Sequence, residues 1–517
     1  MSRPIVIIGA GLGGLSAAIH LAAAGEKVIL FEKNRTAGGK MGEVVADGFR
    51  FDTGPSLLTM PFVIDQLFQA AGKKREDYLR FEPVNPVCRY FFSEGSKLDA
   101  FSDLDRMVKA LNNFSPGSTD EYKRFLSYSR KIYRAAADLF LFTPFQEPGA
   151  LFRWKNLPAL LRLPQIDARR NIHQAVSRFF HVPRLVQLFD RYATYNGSDP
   201  FRAPATLNII PYVELGLGGF YIRGGMYRLV EALQQLAGEL GVEMHFGQPV
   251  EKILVENKSV TGVRVNGQTI SAGAVDCNGD VVESYRTLLP PDAPSRRKIE
   301  RLEPSLSGLV FLWGVEQKHP ELAHHNIFFS GDYQQEFREI FEQRKAPADP
   351  TIYISITNRC DENHAPAGGE NWFVLLNMPY LHPGQDWDAE VQRLRQSTLR
   401  KLAKAGLDIS GHIRHETVIT PKDFHQKFGS NRGSIYGISS NSRLSAFLRP
   451  SNRSHDYRGL YFAGGSAHPG GGIPLVLLSG KMAAQLITNS KLYRKPGQSR
   501  KTGPSRQKQN TTYQHKG

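Results

Sequence analysis

Four apolar residues followed by a glycine-rich turn constrain this chain more than anything else in it. Ile5, Val6, Ile7 and Ile8 form a short β-branched run suited to a strand buried on both faces. They lead into Gly9-Ala10-Gly11-Leu12-Gly13-Gly14, a G-x-G-x-x-G turn, and then into a helical stretch from Leu15 to Ala24 closed by Gly25. A second strand, Val28 to Phe31, ends on Glu32. Each part has a task in holding a dinucleotide. Gly9 makes the tight turn, Gly11 lets the backbone come close to a pyrophosphate, and Gly14 lets the helix pack against the strand. The helix N-terminus offers free N–H groups and the positive end of its dipole to the phosphates. Glu32 falls about 20 residues beyond the glycines, where a carboxylate accepts hydrogen bonds from ribose hydroxyls. An acid at that strand end argues against a 2′-phosphate on the ligand.

The residues after Glu32 favour FAD over NAD. Residues 35–41 read RTAGGKM, so Gly38 and Gly39 allow a second close backbone pass and Lys40 can place a cation beside the diphosphate. The segment Gly48 to Pro55, GFRFDTGP, follows. With these elements in place the chain resembles the FAD-binding superfamily of amine oxidases and carotenoid desaturases, which carries an E-x5-GG-[RK] element and a later D-x-G segment near the flavin. The resemblance implies cofactor contacts for Gly39, Lys40 and Gly54.

The C-terminal half sharpens it. Gly459 to Pro474, GLYFAGGSAHPGGGIP, reads as a strand, a glycine-dense turn and the start of a helix running to about Ile487. This is similar to the C-terminal motif of bacterial-type phytoene desaturases, which implies that Gly464, Gly465, Gly472, Ile473 and Pro474 reach the flavin ribityl chain and ring. Pro474 suits the first turn of a helix. Gly471 stands where the phytoene enzymes often carry a small side chain, and the HPGGGIP spelling is closer to the branch that acts on later intermediates. Between these motifs, Ile222-Arg223-Gly224-Gly225-Met226-Tyr227 precedes a helix over about Arg228–Gly238 and strands at Val242–Phe246 and from Val250. By resemblance Val250 offers backbone contacts to the adenine. Lys258 to Ile270 alternates around Asn266-Gly267, a hairpin signal with a type I′ turn.

The fold implied is α/β, a Rossmann-type FAD-binding domain of the amine-oxidase kind interleaved with an α+β substrate domain. The cofactor domain would comprise about 1–80, 222–300 and 425–488, and the substrate and membrane-contact domain 81–221 and 301–424, leaving 489–517 as a tail. A length of 517 residues admits about two to four domain-sized units. Val310 to Gly314, Thr351 to Ile356 and Trp372 to Leu376 read as strands of a substrate-domain sheet, with a helix over about Ala389–Ala405.

Composition narrows the setting. No stretch reaches 18 uninterrupted apolar residues, so no spanning helix is expected, and Met1 to Arg3 leads almost directly into the first strand without a signal peptide. Cys88, Cys277 and Cys360 are too few and too dispersed for a disulfide framework or a zinc site, so no metal is expected and the thiols read as reduced in a cytosol-facing protein. Half of the formal charge of +16 sits in the tail, which has eight basic residues and no acidic one from Lys491 to Gly517. It reads as disordered. Neither a helix nor an aromatic platform accompanies it, so nucleic acid is not the expected partner. An anionic membrane surface suits it better, at about 1 kcal/mol per basic residue near the lipid, alongside a simple solubilising role. Leu139 to Phe145 and Leu151 to Leu163 mix bulky apolar residues with Arg153, Lys155 and Arg162, and prolines chop the region into short pieces. It reads as an interfacial segment, a lid over a lipid tunnel, or both.

The chemistry expected is desaturation of a C30 or C40 polyene, in which FAD takes the hydride and the protein positions the chain and excludes water. His468, Asp52 and Glu214, all near the flavin-like motifs, are the candidates for taking the proton, and His468 reads either as that acid/base group or as a residue that simply shapes the turn. Arg191-Tyr192-Ala193-Thr194-Tyr195-Asn196-Gly197 resembles a substrate-domain segment with no role assigned. A later-step desaturase of hydroxycarotenoids and an end-group oxygenase stand as alternatives within the family. Outside it stand an amine oxidase and a non-catalytic prenyl-binding escort. The setting implied is peripheral, on the inner face of the cell membrane, with self-association into a homo-oligomer open.

Overall fold

The computed structural model describes residues 3–144, 163–442 and 449–490. Its first sheet grows from the apolar runs. Ile5–Ile8 pairs in parallel with Val28–Phe31 on one side and with Ala274–Cys277 on the other. Glu243–His245 and Leu460–Phe462 close the two edges, giving five parallel strands. Alternation of side chains splits the apolar residues between two faces. Ile5, Ile7 and Leu30 pack with the helices Leu12–Ala23, Arg228–Glu239 and Ile473–Thr488. Val6, Ile29 and Val275 pack with a three-stranded antiparallel sheet, Val250–Glu256, Ser259–Val265 and Gln268–Ser271.

The expected hairpin turn is present, with Asn266 and Gly267 at φ 48° and 74° between Val265 and Gln268. A second turn of the same kind, Asn257-Lys258 at φ 48° and 58°, joins the other two strands. The sequence hides it because lysine carries no turn preference.

The first helix differs from the expectation. It begins at Leu12 rather than Leu15, so Gly13 and Gly14 lie in its first turn. Helix propensity disfavours glycine there, but packing leaves no alternative. A Cβ on Gly14 would stand 2.1 Å from the Gly9 carbonyl oxygen, and one on Gly13 would stand 2.9 Å from the Gly464 nitrogen.

A seven-stranded sheet forms the second layer. The three expected strands appear as Ser307–Val315, Ile352–Ile356 and Glu370–Met378. Four more, Cys88–Phe91, Lys97–Ala100, His325–Phe328 and Ile413–Ile419, join them in one sheet. These four escape a sequence reading because they are short or, like Ile413–Ile419 at the edge, mostly polar and half exposed. The expected helix near 389–405 runs over Trp387–Lys404, and Asp386 caps it by accepting from the Asp388 and Ala389 amides.

Among the described residues no helix is long and apolar enough to cross a membrane. The aromatic segment from Leu139 is described only to Pro144 and again from Leu163; the rings of Phe62 and Phe142 lie tilted at 54° with centroids 6.2 Å apart, packed on the core that holds the first helix. The rest of that segment and the basic tail from Lys491 lie outside the described residues.

Candidate active site

A cavity of about 700 Å³ runs between the two sheets, from the glycine turn to the apolar face of the large sheet. At one end it meets Gly9, Gly11 and Glu32, and at the other Val310, Phe373 and Leu375. The site is built where the C-terminal ends of the parallel strands open outward, the place where an α/β sheet binds ligands.

The dinucleotide end is held by backbone geometry. Gly9 adopts φ 97°, closed to ordinary residues. The Glu32 carboxylate accepts from the Ala10 amide at 2.7 Å and from the Asn34 amide at 2.8 Å, which fixes it at the cavity wall. Each of its oxygens keeps a lone pair for a further donor. Val250 begins its strand beside this wall and also lines the cavity. Gly38 donates its amide to the Ala10 carbonyl at 2.9 Å and carries the chain back over the turn. A Cβ on Gly39 would meet only the Gly11 Cα, at 3.5 Å. Gly54 is packed more tightly, since a Cβ there would stand 2.1 Å from the Lys40 carbonyl oxygen.

Lys40 lies in the cavity wall but turns its ammonium to protein acceptors. Its Nζ donates to the Ser434 and Ile435 carbonyls at 3.0 and 2.6 Å. Burial pushes it down to about 8, opposed by the attraction of Asp280. The cation is thus shared between the cavity and the 434–435 segment rather than standing free beside a diphosphate.

The C-terminal turn closes the cavity over the dinucleotide end. Gly464, Gly465, Gly472, Ile473 and Pro474 all line it. Gly472 adopts φ 104° immediately before the helix Ile473–Thr488, and Pro474 occupies its first turn as expected. No protein atom stands within 4 Å of a Cβ on Gly472, so the helix N-terminus opens onto free volume. That open cradle, the two close glycine passes and the fixed carboxylate fit a flavin adenine dinucleotide.

Gly14 is the one expected cofactor residue that does not line the cavity; it lies behind the turn and sets its closeness to the helix. His468 also stands outside the lining, its Nε2 3.2 Å from the Thr143 carbonyl oxygen. Burial pushes its imidazole down to about 4, so it is neutral at pH 7. Its backbone carbonyl takes hydrogen bonds from Asn452 and Ser479, a part in shaping the turn. Asp52 is likewise engaged in structure, accepting from the Met226 and Tyr227 amides and pairing with Arg50 at 2.8 Å. Glu214, by contrast, faces the cavity.

Sequence reasoning missed two groups. Asn278, Gly279 and Asp280 follow the strand Ala274–Cys277 and line the cavity, with Asn278 donating to the Gly9 carbonyl at 3.3 Å. Their position after a fourth parallel strand was the available signal. The other group is Arg191, Tyr195, His325, Tyr333 and Tyr353, brought to the cavity from three separate segments. The density of aromatic and cationic residues in Arg191-Tyr192-Ala193-Thr194-Tyr195 was its only trace.

A parallel sheet with two glycine passes, a strand-end acid and a glycine-rich C-terminal helix start defines an FAD-dependent oxidoreductase. The chain matches the model of the flavin containing amine oxidoreductase family over residues 12–488. It is 40% identical over 490 residues to the 1-hydroxycarotenoid 3,4-desaturase of a Flavobacterium species, covering 94% of this chain and 99% of that protein. It is 38% identical over 489 residues to the 4,4'-diapolycopene oxygenase of a Methylomonas species, with 94% and 98% coverage. The zeta-carotene-forming phytoene desaturase of Myxococcus xanthus is 36% identical over 491 residues, 94% of each chain. Among solved structures, cyclohexylamine oxidase from Brevibacterium oxydans superposes with a TM-score of 0.61 at 16% identity, over 94% of this chain and 99% of that one. An oxidoreductase from Methanosarcina mazei also gives 0.61 at 16%, over 93% and 100%. The protein belongs to the flavin-containing amine oxidoreductase family, within its group of carotenoid desaturases and oxygenases.

Proposed function

We propose that this enzyme introduces double bonds into an acyclic C30 or C40 polyene, in the manner of the phytoene desaturases. The observation that carries the reading is the single cavity joining the FAD cradle to the apolar face of the large sheet. FAD supplies an acceptor for the hydride that leaves one carbon of the polyene. The remaining work falls to the chain itself. Val310, Phe373 and Leu375 hold the hydrocarbon against the sheet, and closure by the C-terminal turn excludes water. Of His468, Asp52 and Glu214, only Glu214 lines this space, and it is better placed than His468 to take the proton from the neighbouring carbon.

A later-step desaturase or end-group oxygenase is the second reading. It is favoured by the relatives at 40% and 38% identity, named for a hydroxycarotenoid and for diapolycopene, and by the glycine at Gly471.

In this proposal the FAD domain takes in about 1–80, 222–300 and 425–488, and the substrate domain 81–221 and 301–424. The membership of the strands in the five- and seven-stranded sheets supports that division. The enzyme would sit peripherally on the inner face of the membrane, where its polyene resides, through its basic tail and the aromatic segment near residues 139–163.

Expression in cells accumulating phytoene, the C30 dehydrosqualene or lycopene, with chromatographic and mass analysis of the pigments, tests the reaction. Loss of mass in steps of two hydrogens with red-shifted absorption supports desaturation. Gain of oxygen on an already coloured polyene supports the end-group reading instead.

A further inference from the structure

A polar cluster is buried in the wall of a cavity that otherwise suits a hydrocarbon. Arg191 and Glu214 lie 3.3 Å apart with side chains 7% and 1% exposed. Tyr192 donates to the same carboxylate at 2.8 Å, Tyr195 donates to its other oxygen, and Tyr90 accepts from Arg191 at 2.7 Å. The guanidinium is packed against the rings of Tyr90, Tyr192 and Tyr195, within 4.5–5.2 Å of their centroids. This core is closely hydrogen-bonded, although Oε2 of Glu214 takes only one of these bonds and keeps a lone pair free. Polar atoms in and around it lack partners altogether. The Tyr333 hydroxyl and the His325 Nε2 are buried, line the cavity and have no hydrogen-bond partner, and the Arg191 Nε is also left without one. His325 is held in place from its other nitrogen, with Nδ1 2.8 Å from the Tyr353 hydroxyl, which is 2.5 Å from the Ser56 hydroxyl. Burial keeps that imidazole neutral, and Arg191 adds to the effect, which places the two groups within electrostatic reach. Tyr333 also lies within reach of Arg191: burial pushes its phenol up, and the guanidinium opposes that push.

Buried polar groups without partners are costly unless a ligand satisfies them. A plain hydrocarbon end would leave these groups unpaired, whereas an end bearing oxygen would both donate and accept. We propose that the groups around Arg191, Tyr333 and His325 form a subsite for the oxygenated end of the substrate, a hydroxyl or carbonyl at the terminus of an acyclic polyene. This rests on the proposed action on polyenes and names the substrate class more narrowly. A site built to hydrogen-bond an oxygen discriminates strongly against the analogue lacking it.

The test uses the full-length holoenzyme and two acyclic C40 polyenes that differ only by a tertiary hydroxyl at one end. Binding of each is read from perturbation of the flavin absorption, and turnover from product analysis. Tighter binding of the hydroxylated polyene, by about tenfold or more, is expected. The Tyr333→Phe variant, which deletes one hydroxyl and keeps the ring, should reduce that preference several-fold with flavin content and melting temperature unchanged. Equal binding of the two polyenes by the wild type overturns the subsite, as does a preference undiminished in both Tyr333→Phe and His325→Phe. Should neither polyene be converted while the hydroxylated one still binds preferentially, the desaturase reading fails and the subsite stands.

Discussion

Gly480, midway along the C-terminal helix, lies directly on the Gly13 carbonyl of the first helix. A Cβ on Gly480 would stand 2.2 Å from that oxygen and 2.8 Å from the Ala17 amide nitrogen. The two helices that carry the dinucleotide turns at opposite ends of the chain are therefore docked backbone to backbone. Gly480→Ala should destabilise the fold. Alanine gains about 1 kcal/mol in helix propensity, but overpacking against rigid backbone costs about 1–3 kcal/mol or more and dominates. A lower melting temperature together with faster loss of flavin on dilution is expected; an unchanged melt would mean that the helices slide apart freely.

Glu32→Gln tests the strand-end acid with little change of shape. Both carboxylate oxygens accept backbone amides, so a glutamine must turn its NH2 toward one of those N–H groups. The unsatisfied contact costs about 1–3 kcal/mol. The flavin-to-protein ratio after dialysis should fall clearly below that of the wild type, and full occupancy would remove Glu32 from the cofactor site.

Asp276 makes stability depend on pH. It is wholly buried on the strand Ala274–Cys277, neither oxygen has a hydrogen-bond partner, and burial pushes it up to about 7. A group whose folded value is raised contributes fully below its unfolded value near 3.8, and that contribution is lost as the pH rises to about 7. Asp276→Asn should therefore match the wild type near pH 4 and be more stable at pH 8, by up to about 4 kcal/mol from 1.36 kcal/mol per pH unit. Thermal melts across that range check it, and a constant offset would disprove the assignment.

Gly471→Ala probes the position that separates the HPGGGIP spelling from that of the phytoene enzymes. The added methyl would stand 3.1 Å from the Tyr436 ring, and both residues line the cavity. The ring must give by a few tenths of an ångström, which should leave flavin bound and change the KM for the polyene several-fold. Unchanged kinetics with both phytoene and a hydroxylated polyene would make the position neutral to substrate choice.

Removing Lys491 to Gly517 takes away eight cations and no acid. At about 1 kcal/mol each near anionic lipid, their loss should sharply reduce sedimentation with anionic vesicles while sparing flavin content. Equal pelleting of the two forms would assign membrane contact to another part of the chain.

The glycine-lined end of the cavity was largely legible in the amino-acid sequence. Its legibility rests on local chemistry: each motif is complete within its own short stretch, the first glycine turn and the acid at the end of Val28–Phe31 near the N-terminus, and the second glycine turn with its proline-started helix near the C-terminus. The polyene end was not. Arg191, Glu214, His325 and Tyr333 are separated by up to 142 positions, and the strand His325–Phe328 is brought to Arg191 by its pairing with Cys88–Phe91, whose Tyr90 accepts from that guanidinium. The same holds for His468, whose place in a glycine-rich motif suggested chemistry and whose burial beyond the cavity assigns it to the turn. Spacing along the chain determines each half of a backbone cradle, because the parts of one motif are neighbours in sequence; which side chains face a shared cavity is decided by the pairing of distant strands, which only the tertiary structure fixes.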